Sequence, residues 1–231
     1  MFIPFGEDCA PATSLRNLKL REFALPFDWM RSTPESLFLS VDDDFKEFHD
    51  GLRLSECKKY VIDSYGNEFP HDYPTHKEPA GTNIYEGKDN IREDTIVDDW
   101  MQYIAVNKEK YARRIERFIS LMKSDELLVI LTKCTLQYIQ VFRDLFHRKY
   151  AKTNIIYVVY SNELISQEEK HDFLEKGVCL CEYETIWVDE DENMFINQDE
   201  QDVLWKDGIV KLLQVQKIEL PKCLVEDSPP L

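Results

Sequence analysis

The apolar positions of this 231-residue chain follow two periods in turn, and their order outlines a fold. Residues 2–5 (FIPF) are a short apolar run ending at Gly6, and residues 10–20 then place Leu15 and Leu18 on one helical face. The chain therefore opens as strand, tight turn and helix. An aromatic stretch, FALPFDWM (23–30), precedes Ser32-Thr33-Pro34-Glu35, which reads as a helix start with proline near the first turn. Short helices are expected around 34–40 and 43–49. Residues 63–95 are rich in Gly, Pro, Asp, Asn and Tyr and read as one long irregular loop. From Thr95 to Met122, the spacing of Ile96, Trp100, Ile104, Tyr111, Ile115, Phe118 and Met122 predicts a long amphipathic helix.

The second half alternates. LLVILT (127–132) and NIIYVVYS (154–161) are nearly unbroken runs rich in β-branched residues, joined by a helix with Leu136, Ile139, Phe142 and Phe146 on one face. Such runs belong to parallel strands buried on both faces. A polar helix (166–176), the strand VCLCEYE (178–184), an acidic turn (189–193) and a helix near 199–214 continue the series. The pattern predicts one α/β domain over residues 1–224, three-layered and Rossmann-like, with a mostly parallel sheet. Residues 225–231 are expected to be a flexible tail. No internal repeat or low-complexity segment is present.

Composition narrows the function. Apolar residues make up 43% and aromatics 12%, enough to bury a core. With 44 acidic against 28 basic residues, the net charge of −16 repels phosphate backbones and anionic lipid, so nucleic acid and membrane are not expected partners. No run approaches the roughly 20 apolar residues of a membrane span, and no signal peptide is recognisable, so a cytoplasmic location is expected. The cysteines at 9, 57, 134, 179, 181 and 223 form no C-x-x-C pair and are expected to stay reduced, with Cys179 and Cys181 on one strand face. No dinucleotide, P-loop or zinc-protease fingerprint appears, so neither cofactor nor metal is expected.

Several residues could carry chemistry. Cys9 follows Gly6-Glu7-Asp8 at a strand-to-helix turn, where a helix N-terminus favours thiolate and Gly6 permits the sharp bend. The plain alternative is an inert buried thiol. His71, beside Asp72, has the chemistry of a general base, with Asp72 or Asp28 as the acid that fixes its tautomer. His49, His76, His147 and His171 sit in charged stretches and read as solvated. In PFDW (26–29), Trp29 can wall a pocket. Arg113 and Arg117, at i,i+4, can clamp an anion or form a solvated ion-paired face, and Lys133 follows a strong strand, where α/β sheets bind ligands.

The segments FGEDCAPATSLRNLKLREFALPFDWMRSTPESL, DDDFKEFHD, YGNEFPHDY and KYARRIERF, in that order, resemble a family of unknown function labelled putative papain-like cysteine peptidases, over about residues 2–160. The resemblance implies Cys9 as nucleophile, His71 as base and an aspartate such as Asp72 or Asp28 as third member. It also implies a papain-like α+β fold as the alternative to the parallel sheet. The leading expectation is a cysteine-dependent acyl-transfer enzyme acting on a peptide, ester or glycoconjugate. One rival is a sugar- or phosphate-handling transferase in which Arg113, Arg117 and Lys133 bind an anion. Another is a non-enzymatic interaction module.

Overall fold

The computed structural model describes residues 1–76, 95–161, 163, 165–182, 187–188, 194–195 and 198–225. Its centre is a four-stranded parallel sheet in the order β1 (Phe2–Pro4), β5 (Leu128–Thr132), β6 (Ile155–Ser161), β7 (Val178–Glu182). Along β5, successive side chains enter opposite cores, Leu128 and Ile130 into one, Val129 and Leu131 into the other. Both faces are thus covered, which is why the strand reads as a continuous apolar run rather than an alternation.

On one face, helices α3 (Ile104–Lys123) and α4 (Leu136–Tyr150) bury Phe118, Phe142 and Phe146 around Phe5, with ring centroids 4.9–6.3 Å from it. On the other, α1 (Ala10–Asn17) and α6 (Gln198–Val215) bury Leu15, Trp205, Ile209 and Leu212 against Val129, Val158 and Cys179. Close approach of α6 depends on Gly208, where a Cβ would overlap Cys181 Sγ and come within 3.0 Å of Val158 Cγ1. The mixed α/β architecture with a parallel, helix-flanked sheet agrees with the alternation in the sequence. Helix α5 (Gln167–Glu175) opens with a capping box between Ser166 and Glu169 and leads into β7.

Between α1 and α3 lies a section of different character. Helix α2 (Pro34–Asp42) starts with Thr33 accepting from Ser36 N, and strands β2 (Arg53–Leu54), β3 (Val61–Ile62) and β4 (Glu68–Phe69) form a small antiparallel sheet. The stretch read as one irregular loop from residue 63 therefore contains a strand, and Phe69 to Thr75 is buried. Its polarity is satisfied internally: the Asp63 carboxylate accepts from the backbone of His49, Tyr65 and Asn67 and from Asn67 Nδ2. The long helix begins at Ile104, later than its periodicity suggests, because Trp100–Tyr103 forms a 3-10 turn instead. Residues 43–49, expected to be helical, turn through positive φ at Asp44, Phe45 and His49.

The stretch 77–94, the acidic turn 189–193 and tail residues 226–231 lie outside the described residues, as does Asn162. Short strands β8 (Trp187–Val188) and β9 (Met194–Phe195) pair antiparallel. Among the described residues no helix is long and apolar enough to cross a membrane.

Candidate functional site

After β1 the chain passes to the α1 face, whereas after β5 it passes to the α4 face. The two loops therefore diverge at the carboxyl ends of adjacent parallel strands, the place where open α/β sheets form crevices. Phe5 N still bonds to Leu131 O at 2.9 Å, and the turn begins at the next residue. A Cβ on Gly6 would stand 3.3 Å from Lys133 N and 3.6 Å from Thr132 Cα, so glycine lets the two loops meet.

Cys9 is the N-cap residue of α1 and is partly exposed. Asp8 Oδ1 takes the first helical N–H, that of Ala10, at 2.9 Å, and Pro11 has none to give. Thr13 N donates to Cys9 O at 2.9 Å, and Ala12 is wholly buried. Across the crevice, Lys133 Nζ bonds to Asp8 Oδ2 at 2.6 Å. The second cysteine here, Cys134, is sealed in the core, and burial pushes its thiol up to about 12, which leaves it protonated and inert.

The PFDW segment divides three ways. Phe27 joins the core ring cluster, and Asp28 is wholly buried on an ion pair with Arg21, whose Nε lies 2.9 Å from Oδ2. Burial raises the Asp28 carboxyl despite that arginine. Trp29 lies beneath the guanidinium groups of Arg16 and Arg21, at 5.4 and 5.2 Å, and takes His71 edge-on at 6.5 Å. Since Arg16 belongs to α1, Trp29 links the helix of Cys9 to the segment of His71.

Asp72 is committed elsewhere. It pairs with Lys110 Nζ and accepts from Tyr111 Oη at 2.6 Å, while its carbonyl accepts from Asn107 Nδ2 at 2.7 Å. Burial, reinforced by the Asp72 charge, lifts the Tyr111 phenol well above its ordinary value. Among the described residues neither Asp28 nor Asp72 is hydrogen-bonded to His71. The helical period marks Tyr111 only as a core position and does not mark Asn107 or Lys110, although their i, i+3, i+4 spacing puts all three on one helix face.

Arg113 and Arg117 are exposed. Arg117 covers the Phe23 ring at 5.7 Å, and no hydrogen bond or ion pair among the described residues joins either arginine to the β1–α1 turn. The arginine of that helix that turns inward is Arg114, over Tyr111 at 5.3 Å. His76, His147 and His171 are exposed, but His49, expected to be solvated, is 1% exposed with its Nε2 2.8 Å from Tyr73 Oη. Burial lowers it to about 4.

The sequence model of a family described as putative papain-like cysteine peptidase matches residues 1–181. An uncharacterized protein of Acanthamoeba polyphaga mimivirus is 26% identical over 154 residues, which is 57% of this chain and 60% of the viral protein's length. The chain thus spans 60% of the curated relative it matches. No solved structure matches.

Proposed function

This chain belongs to the putative papain-like cysteine peptidase family, and we propose that it is a thiol-dependent hydrolase or acyl-transfer enzyme with Cys9 as nucleophile and His71 as base. The observation that carries this reading is the seat of Cys9: a partly exposed cysteine at the N-cap position of a helix, at the carboxyl edge of a parallel sheet where two loops diverge. The three-layer, Rossmann-like arrangement would serve the chemistry by holding that turn rigidly. In the reaction the Cys9 sulfur attacks a substrate carbonyl, its proton passes to His71 and on to the leaving group, and water then releases the acyl group.

Oxyanion stabilisation falls to the Lys133 side chain, because the Ala10 amide is taken, Pro11 lacks one and Ala12 is wholly buried. Trp29 holds the imidazole in place from the side, and Asp28 and Asp72 fix the walls around it through Arg21, Lys110 and Tyr111. The substrate class is a peptide, ester or related acyl compound. The test is acyl capture: incubation with small activated esters, followed by mass spectrometry of the intact protein. A hydroxylamine-labile adduct on Cys9, absent in Cys9→Ala, is the expected result. Ester turnover that survives Cys9→Ala contradicts the proposal.

A further inference from the structure

Beside the Cys9 turn lies a recess of about 480 Å³, lined by Glu7, Asp8, Arg31, Ser32, Thr33, Pro34, Gly66 and Glu68. That volume lies in the range of small-molecule sites and has room for a long side chain together with its solvent. Its walls come from three separate stretches of chain tied to one another. Ser32 N bonds to Glu7 O at 2.9 Å, Arg31 and Glu68 exchange backbone hydrogen bonds at 2.8 and 2.9 Å, and Ser32 Oγ bonds to the side chain of buried Asn67 at 2.8 Å. The cavity is therefore preformed.

Its charges do not balance. Asp8 is answered by Lys133, and Glu68 by Arg31 at 3.5 Å. Glu7 has no such answer: among the described residues its carboxylate makes no hydrogen bond and no ion pair. Burial raises its proton affinity, and Asp8 and Glu35 add to that while Lys133 opposes it. A half-buried carboxylate facing a formed cavity, crowded by like charge and with no cation bonded to it among the described residues, is incomplete as it stands. Glu7 and Cys9 are two residues apart, so their Cα atoms stand within roughly 7 Å. The net charge of −16 also draws cations toward this surface.

We infer that this recess is a specificity subsite for a cationic side chain, an alkylammonium or alkylguanidinium, which seats on Glu7 and brings the neighbouring acyl group to Cys9. The inference rests on the reading of Cys9 as nucleophile, and it narrows the substrate from any acyl compound to one bearing a lysine- or arginine-like group.

Two measurements test it separately from that reading. The first compares modification of Cys9 by cationic aminoethyl methanethiosulfonate with that by neutral methyl methanethiosulfonate, at high ionic strength to screen the overall field. The second is calorimetric titration with n-butylguanidinium. The expected result is a cationic preference at Cys9 and saturable guanidinium binding, each reduced at least about tenfold in Glu7→Gln, as fits loss of one charged hydrogen-bond partner. Reaction of Cys9 with the neutral reagent but no cationic preference overturns the subsite and leaves the nucleophile in place. If Cys9 resists both reagents, the nucleophile fails and calorimetry decides the cation site alone: binding lost in Glu7→Gln upholds it, and no binding overturns it.

Discussion

Lys133 Nζ and Asp8 Oδ2 stand 2.6 Å apart and join the loops after β5 and β1, one residue before Cys9. Asp8 also takes the Ala10 N–H, so one side chain joins the two loops and caps the helix. Removing it in Asp8→Ala is expected to cost about 1–2 kcal/mol, most of it from the lost cap, since a partly exposed ion pair contributes only ~0.2–1 kcal/mol. Asp8→Asn keeps an acceptor for Ala10 N and is expected to cost less. Urea denaturation of both variants checks this order.

The fit of α6 against the sheet gives a second expectation. Gly208→Ala forces a methyl group onto Cys181 Sγ and Val158, and overpacking of this kind costs about 1–3 kcal/mol, more than the ~1 kcal/mol that alanine gains over glycine in a helix. Cys181→Ala vacates the space, so in the double variant the penalty of Gly208→Ala should largely disappear. A thermal-denaturation double-mutant cycle measures that coupling.

His49 carries a pH signature. Its pKa falls from 6.5 to about 4 on folding, so the unfolded chain binds the extra proton first. The stability it contributes is complete above pH 6.5 and is lost as pH falls toward 4, on the order of 3 kcal/mol across that window. Asp28 and Asp63, whose carboxyls are raised by burial, act in the opposite sense and must be subtracted. The difference in unfolding free energy between wild type and His49→Gln, followed from pH 7 to pH 4, is expected to shrink as pH falls.

Thiol reactivity should differ among the cysteines for reasons visible in their surroundings. Exposed Cys57 has its thiol lowered by a 3.3 Å contact with Ser55 Oγ, whereas Cys134 and Cys181 are buried and raised. Iodoacetamide at pH 8 is expected to label Cys57 in the native protein and to leave Cys134 and Cys181 unlabelled until denaturant is added, as read by peptide mass spectrometry.

What the sequence revealed follows from the range of the forces involved. β5, β6 and α4 were legible because both faces of the sheet are covered, which writes a long apolar run or a helical stripe into contiguous residues. The turn at Gly6–Cys9 was legible for the same local reason. The small sheet was not: β2, β3 and β4 have two residues each, too few for a period to show. The burial of Phe69 to Thr75 was hidden because its polar groups are satisfied by distant partners such as His49, Asn107 and Lys110. Asp72 looked like a partner for adjacent His71, and only its distant contacts with Lys110 and Tyr111 reveal its commitment. The recess beside Glu7 likewise draws on positions 7–8, 31–34 and 66–68, a conjunction no local pattern records.

Alkylation of Cys9 by iodoacetamide as a function of pH decides whether this cysteine is an activated nucleophile. The measurement belongs in a Cys57→Ser background, so that the exposed thiol does not compete, with and without His71→Ala. Native Cys9 is expected to label with an apparent pKa well below the unperturbed ~8.5, moved upward when His71 is removed. Labelling no faster than that of the same cysteine in the unfolded chain, with no response to His71→Ala, would contradict activation of Cys9.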